Sequence, residues 1–290
     1  MTLLTRVLTK AALWSAKHSS KPTNLAALQR AAERVELAAE DRLRKVRSES
    51  QRAPNRPNGS LPAEAIGCWI QNTNSPWLQC RPRSVDIPGM LTQEEIQYYN
   101  YVGRSYLGKG SAVELGPWLG LSTHHILAGL STNPHFDDSK LHVYDDFVWR
   151  KDWMDAYVPS EDRAQHSDFL DLFHRYTAPI EQRLTVSKAK LSDYDGNENL
   201  PRASWNGGPI ELMYIDCGRN IAANQAWWDI FSPYFIPGIT LLIMQDWRVH
   251  RERPRKWYNQ TQAFTELLGD RLRLIHELRD GGVGTFLFQR

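Results

Sequence analysis

The chain has 290 residues, of which 41% are hydrophobic and 23% are charged, so it is long enough to bury one large core or two small ones. Its net charge of +2 is too balanced to indicate a nucleic-acid-binding protein. The three cysteines, Cys68, Cys80 and Cys217, form neither a CxxC pair nor a Cys/His cluster, which argues against a disulfide scaffold or a structural zinc site and favours a cytoplasmic protein.

Residues 1–50 are predicted to form a helical N-terminal arm. Apolar residues recur at three- and four-residue steps from Leu25 to Val46, which is a helical period with a narrow apolar seam. Arg6 and Lys10 interrupt the apolar stripe near the start, so it is a poor secretory signal. The arm could dimerise, contact a partner or a membrane surface, or pack on its own protein. No run is apolar enough to span a bilayer.

Residues 51–90 are interpreted as a linker followed by a loop-rich approach segment, because prolines, glycine and asparagine interrupt every period there. A helix is predicted to begin at Thr92, since Glu95 three residues later completes a capping box. Gly108 and Gly110 are expected to end that helix.

From Ser111 onward, short apolar strands alternate with helical segments. This alternation predicts an α/β domain over residues 91–290, with a mostly parallel sheet covered by helices on both faces. The last two strands have no helix between them, which indicates an antiparallel hairpin at the sheet edge. The predicted strands are AVELG, KLHVYDDF, RLTVSKA, PIELMYIDC, GITLLIMQDW, LRLIHEL and GVGTFLFQ.

The turn after the first strand, in "VELGPWLGLST", has the composition of a ligand-binding turn. Gly116 permits a tight turn, Gly120 permits close approach, and Ser122 can cap the following helix. The spacing is GxxxG rather than GxGxxG, Trp118 would crowd a pyrophosphate, and no Gly-Lys-Ser/Thr follows. A cofactor without phosphates therefore fits better than a dinucleotide, although a plain strand-to-helix turn is the structural alternative.

"VELGPWLGLST" resembles motif I of class I S-adenosylmethionine-dependent methyltransferases, and the aromatic between the glycines resembles the macrocin O-methyltransferase-like group. "LHVYDDF", "IELMYIDCGRN", "FSPYFIPGITLLIMQDW" and "GVGTFLF" are similar, in order, to later strands of that group, the last of them as an edge strand. The resemblance covers about residues 90–290. It implies a Rossmann-like methyltransferase fold with a seven-stranded sheet.

The resemblance implies cofactor-binding residues in the first turn. Glu114, Gly116, Trp118, Gly120 and Ser122 would hold the methionine part of S-adenosyl-L-methionine. A carboxylate suits its ammonium group, and helix N–H groups suit its carboxylate.

Two further cofactor contacts are implied at later strand ends. Asp145 or Asp146, with Asp145 preferred, would accept the two ribose hydroxyls, and the other acid would cap the segment that follows. Asp216 would contact both the cofactor and the acceptor.

The resemblance also implies a Mg²⁺ site at Asp216, Gln245 and Asp246, because relatives bind the ion with acids at these strand ends. Gln245 departs from that pattern by replacing an acid, and Arg219 nearby could supply the positive charge instead. Asp216, Asp246 and His250 are the implied catalytic residues, with His250 as a general base. The alternative for His250 is a surface position in the basic run "RVHRERPRK".

The sequence thus predicts an S-adenosylmethionine-dependent O-methyltransferase acting on a sugar or small-molecule hydroxyl, located in the cytoplasm or at a membrane surface. The alternative is a non-catalytic scaffold or partner-binding subunit on the same fold. A nicotinamide-dependent oxidoreductase is disfavoured by the missing middle glycine.

Overall fold

The structure is a computed structural model and describes residues 75–137, 139–163, 168–191, 199–248 and 258–290. The predicted N-terminal arm, the proline-rich part of the linker and His250 lie outside these residues. Residues 75–91 contain one 3-10 turn, Pro76–Gln79, and otherwise neither helix nor strand.

The described chain forms a seven-stranded mixed sheet in the order β3-β2-β1-β4-β5-β7-β6. All neighbouring pairs from β3 to β5 are parallel, and β7 is antiparallel to both β5 and β6. The predicted parallel sheet with an edge hairpin is confirmed. The strands are β1 (Ser111–Leu115), β2 (Leu141–Asp145), β3 (Leu184–Lys188), β4 (Ile210–Ile215), β5 (Leu241–Met244), β6 (Leu272–Glu277) and β7 (Gly284–Phe288).

The prediction that the last strand lies at the sheet edge is wrong, because β6 occupies the edge and β7 lies between β5 and β6. Burial explains the order. All five residues of β7 are buried, whereas Arg273 and Leu274 of β6 are exposed, so the more apolar strand takes the inner position.

Helices cover both faces of this sheet. No helix among the described residues is both long and apolar enough to cross a membrane. The helices are α1 (Gln93–Arg104), α2 (Leu121–Leu130), α3 (Lys151–Met154), α4 (Ser160–Arg163), α5 (Leu170–Thr177), α6 (Ile221–Phe231) and α7 (Tyr258–Leu268).

Alternation along the strands divides the core into two apolar clusters, one on each face. In β1, Ala112 packs with residues of α1, α2 and α5, while Val113 packs with residues of α6 and α7. Parallel strands with both faces covered need such two-sided burial, and all six residues of β4 are buried. Glu114 shares the face of Ala112 and is therefore directed toward α2.

Helix α1 begins as the capping box predicts, with the Thr92 hydroxyl accepting from Glu95 N and Thr92 N donating to the Glu95 carboxylate. It ends at Arg104, before Gly108, because the left-handed Gly108 lies in the turn leading to β1 rather than at the helix cap. Glycines let α1 and α2 cross closely. A Cβ on Gly129 would lie 2.1 Å from Asn100 O of α1.

Candidate functional site

The candidate site lies at the carboxyl ends of β2, β1, β4 and β5, where the strand order reverses at β1. Ligands of open α/β sheets bind at such a switch point. Backbone bonds continue the ladder past the strand ends, with Gly116 N donating to Tyr144 O, Asp216 N to Leu115 O and Gln245 N to Ile215 O, each at 2.9 Å. The residues that follow these strands are therefore held in fixed positions.

Three non-glycine residues at these strand ends have left-handed backbone angles. They are Trp118 after β1 (φ 44°), Phe147 after β2 (φ 54°) and Asp246 after β5 (φ 57°). Such conformations cost about 1–3 kcal/mol each and collect at functional sites, where the surrounding structure enforces them. The strain thus lies at the same edge as the predicted site residues.

Glu114 is buried at the end of β1 with 2% of its surface exposed. Its two carboxyl oxygens accept hydrogen bonds from Ser122 Oγ at 2.5 Å and Thr123 Oγ1 at 2.7 Å. Burial raises the pKa of Glu114 to about 7, with a contribution from the charge of Asp216, while the two hydroxyl bonds lower it. Glu114 and Ser122 therefore bind one another and fix the start of α2 against β1.

The first turn is shaped by its neighbours in the protein. Gly116 has φ 80°, and a Cβ there would lie 2.4 Å from Asp216 O, so the glycine lets the ends of β1 and β4 meet. Gly120 has φ 93°, and a Cβ there would lie 2.5 Å from Thr177 Cγ2, so the helix that approaches it is α5. Both glycines are required by packing, whatever else they bind.

Trp118, between the two glycines, faces an aromatic cluster. Its ring centroid lies 5.0 Å from that of Trp153 and 6.0 Å from that of Tyr157. Its buried indole Nε1 has no hydrogen-bond partner among the described residues, which is an unusual state for a buried donor. Trp247 is instead a core residue, packed on Phe286, with Nε1 donating to Thr265 Oγ1.

The adjacent acids after β2 have different surroundings. Asp146 is buried, accepts from Val148 N and is held by both terminal nitrogens of Arg150 at 3.2 and 2.6 Å. Asp145 is half-buried, accepts from Phe147 N at 2.7 Å through Oδ1 and shares a side-chain hydrogen bond with Asp146. Burial, followed by the charge of Asp146, raises the pKa of Asp145 well above its ordinary value.

Asp216 and Asp246, at the ends of β4 and β5, are brought together by Arg219. Its Nη2 lies 2.8 Å from Asp216 Oδ1 and 2.5 Å from Asp246 Oδ2. Burial raises the pKa of Asp216, against the opposing effect of Arg219. Burial lowers the pKa of Arg219, but the charges of Asp246 and Asp216 raise it above its ordinary value, so the guanidinium is cationic.

Comparisons with known proteins find similar folds only. A scan of protein-family models and a search of curated proteins found no match. Cofactor-bound Rv0187 from MTB is 13% identical, over 71% of this chain and 84% of its own, with a TM-score of 0.46.

Two methyltransferases are among the other similar structures. Podospora anserina PaMTH1 with bound SAH is 13% identical over 94% and 99% of the two chains, with a TM-score of 0.42. CalS11, a TDP-rhamnose 3'-O-methyltransferase, is 13% identical over 86% and 93%, with a TM-score of 0.43. At this level of likeness the comparisons carry no argument about activity.

The residues predicted to bind Mg²⁺ do not fit that ion. Arg219 lies between the carboxylates of Asp216 and Asp246, and the Gln245 amide is bound elsewhere. Within the described ranges, no group of three or more His, Cys, Asp or Glu side chains is placed to hold a metal. A hard cation such as Mg²⁺ binds about six oxygen ligands. Here the guanidinium of Arg219 is already bound between the two carboxylates that would supply some of them.

The site also has a buried polar layer that sequence reasoning missed. Tyr99 OH donates to Gln245 Oε1 at 2.5 Å, and Gln245 Nε2 donates to Glu95 Oε1 at 2.8 Å. The capping box identified Glu95 as a helix residue, but its contact with Gln245 spans 150 positions in the chain. The one sign of this layer in the sequence is that Gln245 stands where the resemblance implies an acid.

Proposed function

We propose that this chain is an S-adenosylmethionine-dependent methyltransferase that methylates an oxygen of a small molecule or sugar. The observation that supports it is the row of residues at the switch point, in which Asp145, the Gly116 turn and Asp216 lie at the carboxyl ends of the adjacent strands β2, β1 and β4. The sugar acceptor rests on the resemblance to the macrocin O-methyltransferase-like group.

The residues present fit S-adenosylmethionine. Asp145 is half-buried at the end of β2, and its carboxyl group has two oxygens, which suits the two hydroxyls of a ribose. Asp216 keeps 37% of its side chain exposed and suits an ammonium group. When bound, this cofactor supplies an activated methyl group.

The chain's own residues mainly position and enclose the reactants. Glu114 is inaccessible and bound to Ser122 and Thr123, so it orients α2 rather than contacting a ligand. This modifies the role implied for Glu114 by the family resemblance. The Trp118 and Trp153 rings form an apolar wall that can exclude water next to the turn. For a displacement reaction, such positioning supplies much of the rate enhancement.

The first test is calorimetric binding of S-adenosylhomocysteine to the wild type and to Asp145→Asn. We expect the variant to bind about 10-fold more weakly, because the amide keeps only one acceptor oxygen and so loses a hydrogen bond of about 1–1.5 kcal/mol to the ribose hydroxyls. Asp229→Asn, which changes an exposed aspartate on α6, is the matched control and should bind like the wild type.

Each outcome of this test has a distinct meaning. Absence of binding to the folded wild type would contradict the proposed function. Equal binding by wild type and Asp145→Asn would contradict the assignment of Asp145. A wild type that binds the cofactor but methylates none of a panel of sugars and phenols would favour the scaffold alternative.

A further inference from the structure

Among the described residues, the guanidinium of Arg219 is bonded through one of its nitrogens only. A guanidinium has five N–H hydrogens, and the two on Nη2 are directed to Asp216 Oδ1 and Asp246 Oδ2. The other three have no acceptor among the described residues. The Arg219 side chain as a whole is 26% exposed, so it is not sealed inside the core.

The protein already places one cation between the two acids at this edge. Asp216 and Asp246 are side by side after neighbouring strands, and two carboxylates so close need a cation between them. Arg219 is three residues after Asp216 in the same loop, so the chain that carries the first acid also carries its partner. A divalent ion could enter only if this guanidinium left.

Gln245, the third residue of the implied metal site, is hydrogen-bonded to other residues. Gln245 is buried, accepts from Tyr99 OH and donates to Glu95, so its amide oxygen is already bonded inside the protein. Rotating it toward Asp216 would leave the buried hydroxyl of Tyr99 without its acceptor and would remove one of the donors to Glu95, which is costly.

We propose that Arg219 is the built-in cation of this site, that it takes the place a divalent ion would need between Asp216 and Asp246, and that its unpaired N–H groups bind the oxygens of the acceptor. The acceptor part rests on the proposed function, whereas the exclusion of metal does not. A planar guanidinium with several donors is well suited to hold an oxygen that carries or develops negative charge.

Mn²⁺ is the probe for the cation position, because its free ion is counted directly by electron paramagnetic resonance during a titration. The wild type is expected to show no stoichiometric Mn²⁺ site. Arg219→Met, which removes the charge but keeps much of the side-chain volume, is expected to bind one Mn²⁺ at least tenfold more tightly than the wild type. Arg219→Lys keeps a cation there and should resemble the wild type.

The site of binding is checked by adding a second change. Arg219→Met combined with Asp246→Asn should lose the Mn²⁺ gained by Arg219→Met alone. A wild type that binds one equivalent of Mn²⁺, and loses it on Asp246→Asn, would overturn the proposal. A folded Arg219→Met variant that gains no Mn²⁺ would also overturn it.

The Mn²⁺ titration of the wild type tests the proposal even if Arg219→Met does not fold, because a wild type that binds Mn²⁺ tightly contradicts it directly. The result is also independent of the proposed function. S-adenosylhomocysteine binding is measured on the same samples, so a protein that binds neither ligand refutes the methyltransferase while leaving Arg219 as the cation of the acid pair.

Discussion

Glu114 illustrates how much a single buried carboxyl group can influence the protein's response to pH. It is almost fully enclosed, and its two partners are neutral hydroxyls rather than a cation. Burial therefore dominates, and its pKa rises from 4.5 to about 7. At this position, the protonated form is the one that the folded state prefers.

We predict that Glu114 makes the protein less stable as pH rises from about 4.5 to about 7. The unfolded chain loses this proton near its ordinary pKa, whereas the folded state keeps it, so the free energy of unfolding falls across that window. The shift corresponds to roughly 3 kcal/mol at and above pH 7. Glu114→Gln should remove this contribution, and urea unfolding at pH 5 and pH 8 measures it.

The matched control for this prediction is Glu266→Gln, which changes an exposed glutamate on α7. The stability of Glu114→Gln relative to wild type should increase between pH 5 and pH 8, while that of the control should stay constant. A constant difference for Glu114→Gln would show that the carboxyl group is ionised in the folded protein at both values.

At the scale of elements, the turn from β1 to α2 is determined by close backbone approach. Gly116 has a left-handed conformation and touches the backbone of Asp216, so it closes the gap between β1 and β4. This contact belongs to the protein and does not depend on a cofactor. A glycine in a ligand-binding motif can therefore also have a structural role.

We predict that Gly116→Ala destabilises the protein by about 3 kcal/mol or more. The left-handed backbone costs about 1–2 kcal/mol for an alanine, and the new methyl carbon would lie 2.4 Å from Asp216 O, so the strands must separate. Gly208→Ala is the control, because Gly208 has nearly the same φ (79° against 80°) but no atom within 4 Å of the added carbon.

The comparison of the two glycine variants separates backbone strain from collision. Gly208→Ala should cost only the strain, about 1–2 kcal/mol. If chemical denaturation gave the same loss of stability for both variants, the collision of the added carbon with Asp216 would not be a cause of the loss in Gly116→Ala.

The elements themselves were largely predictable because each one has a local signal. Alternation and apolar runs located all seven strands, and the Thr92–Glu95 capping box located the start of α1. The end of α1 and the inner position of β7 were not predicted. Both depend on packing with distant residues, which no local window contains.

At the scale of the whole molecule, the contacts that sequence could not predict are those between separate strand ends. Order along the chain placed Asp145, Asp216 and Asp246 at the ends of β2, β4 and β5. The sequence also indicated Arg219 as an alternative positive charge near these acids, but it could not show the direct contact with Asp246, 27 positions away.

The buried layer beneath this edge joins parts of the chain that are far apart in sequence. Glu95 of α1 accepts from Thr92 N, Gln245 Nε2 and Gly282 N, so it connects the first helix, the end of β5 and the β6–β7 hairpin. Burial raises the pKa of Glu95, and these donors lower it. This arrangement gives a reason for the amide at 245, since a neutral amide can accept from Tyr99 and donate to Glu95 at once without binding or losing a proton.

We predict that Gln245→Glu, which restores the acid found at this place in the resembled family, destabilises this chain by roughly 2–4 kcal/mol at neutral pH. The new carboxylate would face Glu95 across a 2.8 Å contact, so the buried pair must share a proton or separate. The folded state then retains a proton that the unfolded chain loses, and the loss of stability should be larger at pH 8 than at pH 4.

Gln225→Glu supplies the matched control, because Gln225 Nε2 donates to Asp229 Oδ1 at 2.6 Å on the exposed face of α6. This variant also places a glutamate opposite an acid, but at a solvent-exposed position. A like-charge pair one helical turn apart costs only about 0.2–0.5 kcal/mol there. Equal losses for the two variants in urea unfolding would mean that the 245 position is solvated. A large loss of stability confined to Gln245→Glu would show that the fold requires a neutral amide at this position, where it joins α1 and the hairpin to β5.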